Sequence, residues 1–203
     1  SRILEEIFLK RSIPYQIIGG IKFYQRKEVK DIVSYLRLIQ NPKDRISLER
    51  IINEPRRGIG EMTLAKWISL AKENSLDLIS AGLKSEIQNL KISASRFDGI
   101  ARFCDFILRM REAGDRISLG DFIEKVFAES GYEKYLQDGT MEGEMRWENV
   151  KELITVARKY DKEESGSGRK LSDFLEEVAL ATDADTAKEK GDSVTMMTLH
   201  SAK

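Results

Sequence analysis

Two arginines followed by a Gly-Ile-Gly motif form the most chemically specific stretch of this sequence, NEPRRGIGEMT at Asn53–Thr63. Glycine lets a backbone approach a ligand closely, and the unpaired N–H groups at the start of a helix favour an anion. Pro55 ends the apolar helix before the motif, and a second amphipathic helix is predicted from about Glu61. Arg56 and Arg57 add positive charge. The stretch therefore predicts a helix–hairpin–helix that binds a nucleic-acid phosphate.

Each candidate site in the sequence also has an ordinary structural explanation. The Gly-Ile-Gly stretch is equally compatible with a plain turn that places Ile59 in the core. The run GSGRK at Gly166–Lys170 lacks the spacing of a phosphate-binding loop and is expected to be an exposed linker. Glu28 and Asp31 are expected on a solvated helix face, and His200 has no obvious catalytic partner. We find no self-contained catalytic constellation and no metal-ligand cluster.

Composition indicates a helix-rich globular protein of 203 residues with a formal net charge of zero. The charge is unevenly distributed: Lys22–Arg57 holds ten basic against five acidic residues, and Asp173–Asp192 holds seven acidic against two basic residues. Such opposed fields can orient a polyanion, although they are also found on ordinary solvated helices. Cys104 is the single cysteine, so we expect no disulfide and a reducing, cytoplasmic location. No apolar run is long enough to span a membrane.

Apolar periodicity predicts a mainly α fold with one short strand near each end. Helices are expected over Ser1–Arg11, Lys27–Gln40, Ile46–Asn53, Leu76–Leu83, Ser93–Ala113, Ser118–Ser130, Met141–Tyr160 and Leu171–Thr182. Strands are expected over Ile13–Ile18 and Val194–His200, a connector over Gly131–Thr140 and a linker over Asp183–Ser193. Two isolated strands make no stable sheet, so we expect them to belong to a sheet whose other strands lie outside this chain. The chain is then a helical insertion flanked by two β stubs of its host domain.

Three stretches in fixed order, Ser1–Asp44, Arg50–Thr63 and Val194–Lys203, resemble the UvrD/PcrA/Rep group of superfamily 1 DNA helicases. GEMRWENVKEL and LSDFLEEVAL fall between them where this family has similar segments. The family couples ATP hydrolysis to 3′-to-5′ movement on single-stranded DNA, using two RecA-like α/β motor domains. The resemblance implies that residues 20–191 are the helical insertion called subdomain 2B. Residues 1–19 and 192–203 would be stubs of the second motor domain.

The same resemblance assigns roles to residues by position. Gly58, Ile59, Gly60 and Thr63 match the family's duplex-binding hairpin, and Lys30 matches a basic position that faces the duplex. We add Arg56 and Arg57 to this duplex-binding set because of their charge. Single-stranded DNA would be contacted by Thr198, His200 and Arg2. Hinges are expected near Gly19-Gly20 and near Gly191, where glycine permits rotation.

The resemblance implies a duplex-binding, regulatory subdomain of a helicase that acts in DNA repair or replication. The family's phosphate loop, magnesium-binding segment and γ-phosphate arginines do not occur in this sequence. ATP and Mg²⁺ would therefore bind the parent protein and not this chain. Expected partners are duplex DNA at a single-strand junction, the remaining motor domains of the parent, and repair or replication proteins, with no membrane. The alternative is a protein-interaction or self-association module of the same helicase, with a merely structural hairpin.

The missing nucleotide-binding residues yield a direct test. We expect the purified 203-residue chain to show no DNA-stimulated ATPase activity, because it holds none of the groups that bind or orient the phosphates of ATP. Phosphate release would be measured with and without single-stranded DNA, with a complete helicase of this group as the positive control. Release above the protein-free background would mean that a nucleotide site has been overlooked.

Overall fold

The computed structural model describes residues 4, 7, 8, 11, 13, 15–18, 22–84, 93–114, 116–163, 171–186 and 194–197. The helices are α1 (Lys27–Gln40), α2 (Arg45–Ile51), α3 (Glu61–Glu73), α4 (Leu78–Leu83), α5 (Ala94–Gly114), α6 (Leu119–Glu129), α7 (Tyr132–Leu136), α8 (Met141–Glu163) and α9 (Leu171–Thr186). A 3₁₀ turn (Phe23–Gln25) precedes α1, and the strands are β1 (Tyr15–Ile18) and β2 (Val194–Met197). The mainly helical class is confirmed. Over these residues, no helix combines the length and the apolar character needed to cross a bilayer.

Helix α1 is the centre of the fold. It packs against α2, α5, α6, α8 and α9, so it is buried on more than the single face that its periodicity predicts. Its fully buried apolar side chains are Val29, Ile32, Tyr35, Leu36 and Leu38. The helix ends at Gln40, since Asn41 is extended and Pro42 disfavours a helical residue before it.

The burial of α1 corrects one expectation about charge. Glu28 and Asp31 were expected on a solvated face, but only 4% and 1% of these residues are exposed. Asp31 Oδ2 accepts a hydrogen bond from the Tyr132 hydroxyl at 2.6 Å, and Arg50 Nε lies 2.7 Å from Asp31 Oδ1. Glu28 Oε1 accepts a hydrogen bond from Asn149 at 2.5 Å. Burial raises the pKa of Asp31, and these polar partners offset the cost of burying the charge.

The two predicted strands pair directly with each other. β1 and β2 run parallel, in a register that starts with Tyr15 opposite Val194 and ends with Ile18 opposite Met197. The sequence argument had placed them in a larger sheet without pairing them to each other. Because the strands are parallel neighbours, the helical segment between them leaves from the carboxyl end of β1 and returns to the amino end of β2, at the opposite end of the pair.

Helix α7 lies where the sequence predicted only a connector. Gly131 has φ +78°, in the left-handed region that favours glycine, and this turn separates α7 from α6. Tyr132 and Leu136 are buried, so tertiary packing and the Tyr132–Asp31 hydrogen bond stabilise five residues that are too short for a periodic signal. Helices α8 and α9 also continue past the predicted ends, to Glu163 and Thr186.

Helix α3, which begins at the Gly-Ile-Gly motif, is anchored through Trp67. The Trp67 side chain is fully buried, and its Nε1 donates a hydrogen bond to the carbonyl oxygen of Leu78 at 2.8 Å. Gly82 of α4 lets this ring and the buried Cys104 of α5 approach closely. Burial raises the pKa of the Cys104 thiol, so the group stays protonated and packs as a small apolar side chain.

This close approach predicts that Gly82→Ala destabilises the protein by about 1–3 kcal/mol through overpacking. The added carbon would collide with Cys104 Sγ and come within 2.8 Å of Trp67 Cζ2. Urea denaturation followed by circular dichroism gives the free energy of unfolding. Gly99→Ala is the matched control, because Gly99 also lies within a helix and a Cβ there would approach only the carbonyl oxygen of Arg57, at an ordinary contact distance of 3.6 Å. Equal stability of the two variants would contradict the packing described for Gly82.

Candidate nucleic-acid interface

Helices α2 and α3 are joined by the glycine loop, which we define as residues 53–60. Asn53 closes this loop with its side-chain amide: Oδ1 accepts hydrogen bonds from the backbone N–H groups of Ile59 at 3.1 Å and Arg57 at 3.4 Å. The Asn53 amide nitrogen donates back to the Ile59 carbonyl oxygen at 2.6 Å. Ile59 itself is 2% exposed, so its side chain lies in the core as the plain-turn interpretation expected.

The two glycines on either side of Ile59 face open space. Gly58 has φ +70°, a conformation that favours glycine, and a Cβ at Gly58 or Gly60 would meet nothing within 4 Å. Gly60 is the N-cap of α3, with φ −71° and ψ 161°. Among the residues that the structure describes, nothing accepts a hydrogen bond from the backbone N–H groups of Gly58, Gly60, Glu61 or Met62. The loop therefore combines exposed donors with the positive end of a 13-residue helix.

The Arg57 side chain points into the protein. Its Nη1 donates to three backbone carbonyl oxygens at 3.1 Å each, those of Ile51, Ile52 and Pro55. Its Nη2 donates to the Tyr35 hydroxyl at 2.9 Å and to the carbonyl oxygen of Ser130, after α6, at 3.2 Å. The guanidinium also lies over the ring of Phe103, 4.9 Å from its centre. Arg57 thus connects the end of α2 and the glycine loop to α1, α5 and the α6–α7 turn.

These contacts correct the role expected for Arg57. Its charge suggested a phosphate contact, but the planar fork of donors is already occupied by buried oxygen atoms. The Tyr35 hydroxyl accepts from Arg57 and donates to the carbonyl oxygen of Glu54 at 2.6 Å. Burial raises the pKa of Tyr35 to about 12, which keeps that hydroxyl protonated as a donor. Arg57 is therefore a positioning residue for the loop.

The other predicted duplex-binding residues occupy different environments. Arg56 is exposed beside the loop and makes no ion pair with any residue of the described part of the chain. Thr63 is 7% exposed, and its backbone N–H donates to the carbonyl oxygen of Gly60 at 3.0 Å. Lys30 is half-buried on α1 and lines a different groove, together with Arg37. The structure brings together the loop residues and leaves Lys30 in its own groove.

Several predicted positions lie outside the described residues: Arg2, Thr198 and His200, and the hinge glycines Gly19, Gly20 and Gly191. Among the residues that are described, no cluster of three or more His, Cys, Asp or Glu is placed to hold a metal ion. Sequence reasoning missed Asn53, the residue that closes the loop. The sequence carried no signal for this role, because it depends on hydrogen bonds between the Asn53 side chain and the backbone of Ile59, six residues later.

Comparison with known proteins shows similarity to part of a group of helicases. A family model described as the UvrD-like helicase C-terminal domain matches residues 1–203. The chain is 36% identical over 204 residues to the protein named ATP-dependent DNA helicase PcrA from Staphylococcus aureus (strain Mu50), and the match covers 100% of the chain. The identity is again 36%, over all of the chain, for the PcrA of Staphylococcus epidermidis (strain ATCC 12228). The chain spans only 28% of the length of these relatives.

Because Arg57 points into the protein and Arg56 is exposed, we expect the same substitution to lower stability at Arg57 and to have little effect at Arg56. Arg57→Lys keeps the charge but cannot supply the fork of donors, so we expect a loss of about 1–3 kcal/mol in the free energy of unfolding. Arg56→Lys should change stability by less than about 0.5 kcal/mol, because its side chain is exposed.

Both variants would be unfolded in urea under identical conditions and compared with the unmodified chain. Amide hydrogen exchange of Arg57 and Ile59, whose N–H groups donate to Asn53, supplies a second readout, since loosening of the loop raises their exchange even where global unfolding changes little. If both arginines tolerate lysine equally, the inward network around Arg57 does not hold the loop.

Proposed function

The chain belongs to the UvrD-like helicase C-terminal domain family, and from this premise we propose that it is a duplex-DNA-binding, regulatory subdomain of a helicase. The observation that carries the proposal is the pair of exposed glycines at the start of α3, with unpaired amide groups beside them. A phosphate oxygen accepts hydrogen bonds from such amides and is favoured by the helix dipole. The α2–glycine loop–α3 unit is then a helix–hairpin–helix element.

The internal bonds of the loop support this proposal. Asn53 and Arg57 hold the backbone from inside, so the amides of Gly58 and Gly60 require little ordering when DNA binds. Arg56 contributes an exposed cation next to them. Amide and guanidinium contacts to phosphate carry no base information, so the binding is expected to be independent of sequence and weakened by salt.

For the whole protein we propose the activity in the relatives' name, ATP-dependent unwinding of DNA, with 3′-to-5′ polarity and a role in repair or replication. Residues 20–191 form the 2B-type insertion, and residues 1–19 and 192–203 belong to the second RecA-like motor domain. The parallel pairing of β1 with β2 supports this division, because it makes the two strands that flank the insertion direct neighbours. Rotation of the insertion about the two junctions would regulate unwinding.

The remaining assignments follow from the same proposal. ATP and Mg²⁺ would bind the motor domains of the parent protein. Arg2, Thr198 and His200 would contact single-stranded DNA, and Lys30 would meet the duplex from its separate groove. These contacts would place the insertion at the junction between duplex and single strand.

A protein-interaction module is the second candidate function. Met141 and Met145 lie one turn apart at the start of α8, and they are 78% and 57% exposed. Flexible apolar side chains of this kind favour contact with another protein surface, such as a repair or replication partner or a second copy of the chain. In that case the glycine loop would serve only to connect α2 and α3.

The N-cap position of Gly60 allows a test that separates folding from binding. Asp and Asn are both favourable N-cap residues, and the position has open space and a compatible φ, so neither Gly60→Asp nor Gly60→Asn should destabilise the fold. Gly60→Asp places a carboxylate where the phosphate is proposed to bind. We therefore expect Gly60→Asp to weaken duplex binding by roughly tenfold or more, and Gly60→Asn to weaken it much less.

Fluorescence anisotropy with a labelled 20-base-pair duplex, repeated at several salt concentrations, measures this effect. Binding that is unaffected by Gly60→Asp would remove the glycine loop from DNA recognition. Partner capture that depends on Met141 and Met145, combined with a chain that does not bind duplex, would favour the second candidate.

A further inference from the structure

A cleft of about 560 Å³ lies between the glycine loop and α5. The two elements meet at Gly99, where an added Cβ would lie 3.6 Å from the carbonyl oxygen of Arg57. Arg102, three residues further along α5, lines the same cleft, as does Arg56 of the loop. Arg56 and Arg57 of the glycine loop therefore line the same cleft as the start of α5.

The charges in this cleft are unevenly compensated. Four arginines and two acids line it, and both acids are already paired. Arg109 donates to Asp105 at 3.0 Å and to Glu129 at 2.8 Å, while Lys125 lies 2.5 Å from the second oxygen of Glu129. The hydrogen bonds from Lys125 and Arg109 lower the pKa of Glu129, so this acid remains ionised and neutralised by its partners.

Two of the four arginines retain uncompensated charge. Arg57 is bound to internal oxygens, and Arg109 is bound to the acids. Arg56 and Arg102 are both exposed, and neither forms an ion pair within the part of the chain that is described. They stand on opposite sides of one cleft, and both can donate two parallel hydrogen bonds to a phosphate.

We propose that Arg102 is a further phosphate-binding residue for duplex DNA, and that with Arg56 it extends the interface from the glycine loop onto α5. This inference rests on the proposed function, since the glycine loop would hold one phosphate and the cleft would hold the next contact on the backbone. The chemistry recognised is a phosphodiester, and the position of the cleft beside the glycine loop favours DNA over an acidic peptide. Arg109 neutralises the carboxylates that would otherwise repel the strand.

Arg102→Gln in this chain tests the proposal, with Arg111→Gln as the matched control. Arg111 is exposed on the same helix nine residues later, about half a turn around α5, and it does not line the cleft. Both substitutions remove one positive charge. Loss of one phosphate contact should weaken duplex binding about fivefold to tenfold near 0.1 M salt and reduce the salt-dependence slope by about one. Arg111→Gln should change affinity by less than about twofold.

The outcomes distinguish this inference from the function on which it rests. If Gly60→Asp weakens binding but Arg102→Gln behaves like Arg111→Gln, the extension onto α5 is wrong and the loop proposal stands. If none of the three variants changes duplex binding, both proposals fail. A poly-glutamate peptide that binds more tightly than duplex, in a way that depends on Arg102, would make the cleft a protein-docking site. Thermal melting of Arg102→Gln confirms that the comparison is between folded proteins.

Discussion

The interface depends on where one guanidinium group lies. Arg57 satisfies carbonyl oxygens at the end of α2 and after α6, and it binds a hydroxyl of the central helix. Without such donors these oxygens would cost free energy, and the glycine loop would lose one of its attachments to the core. The side chain of the neighbouring Arg56 is exposed to solvent. Two adjacent residues of one type thus differ in environment, since Arg57 binds groups inside the protein and Arg56 faces solvent.

Much of the fold could be predicted because local chemistry and periodicity agree. Helix α1 has the predicted bounds, ended by the Asn41-Pro42 pair, and α3 begins at Glu61 after the glycines. Ser118 caps α6 by accepting a hydrogen bond from the backbone N–H of Asp121, which lies only three residues away. These features are decided within a few residues. Family membership was also readable, since the resemblance rested on several motifs in fixed order and the family model matches the whole chain.

What could not be predicted depends on contacts between distant residues. Periodicity gave α1 one apolar face, but five helices surround it, so Asp31 is buried and meets Tyr132 from 101 positions away. The same contact stabilises α7, which has too few residues for a helical pattern. Nothing in the local sequence distinguishes Arg56 from Arg57, or indicates that Arg102 shares a cleft with the loop. Contacts between residues that are distant in the sequence determine which charged side chains are buried and which are exposed to solvent.

A chain with zero net charge can still attract a polyanion when its acidic side chains are paired and some of its arginines are exposed and unpaired. In the cleft beside the glycine loop, the acids are paired with Arg109 and Lys125, so they screen little of the field of Arg56 and Arg102. The loop adds amide donors that have no charge and whose strength does not depend on pH. Backbone amides and a few uncompensated guanidinium groups can bind the phosphates of a nucleic-acid backbone without contacting the bases, so such binding does not depend on sequence. The position that we propose for this chain, at a junction where any sequence can be met, requires that property.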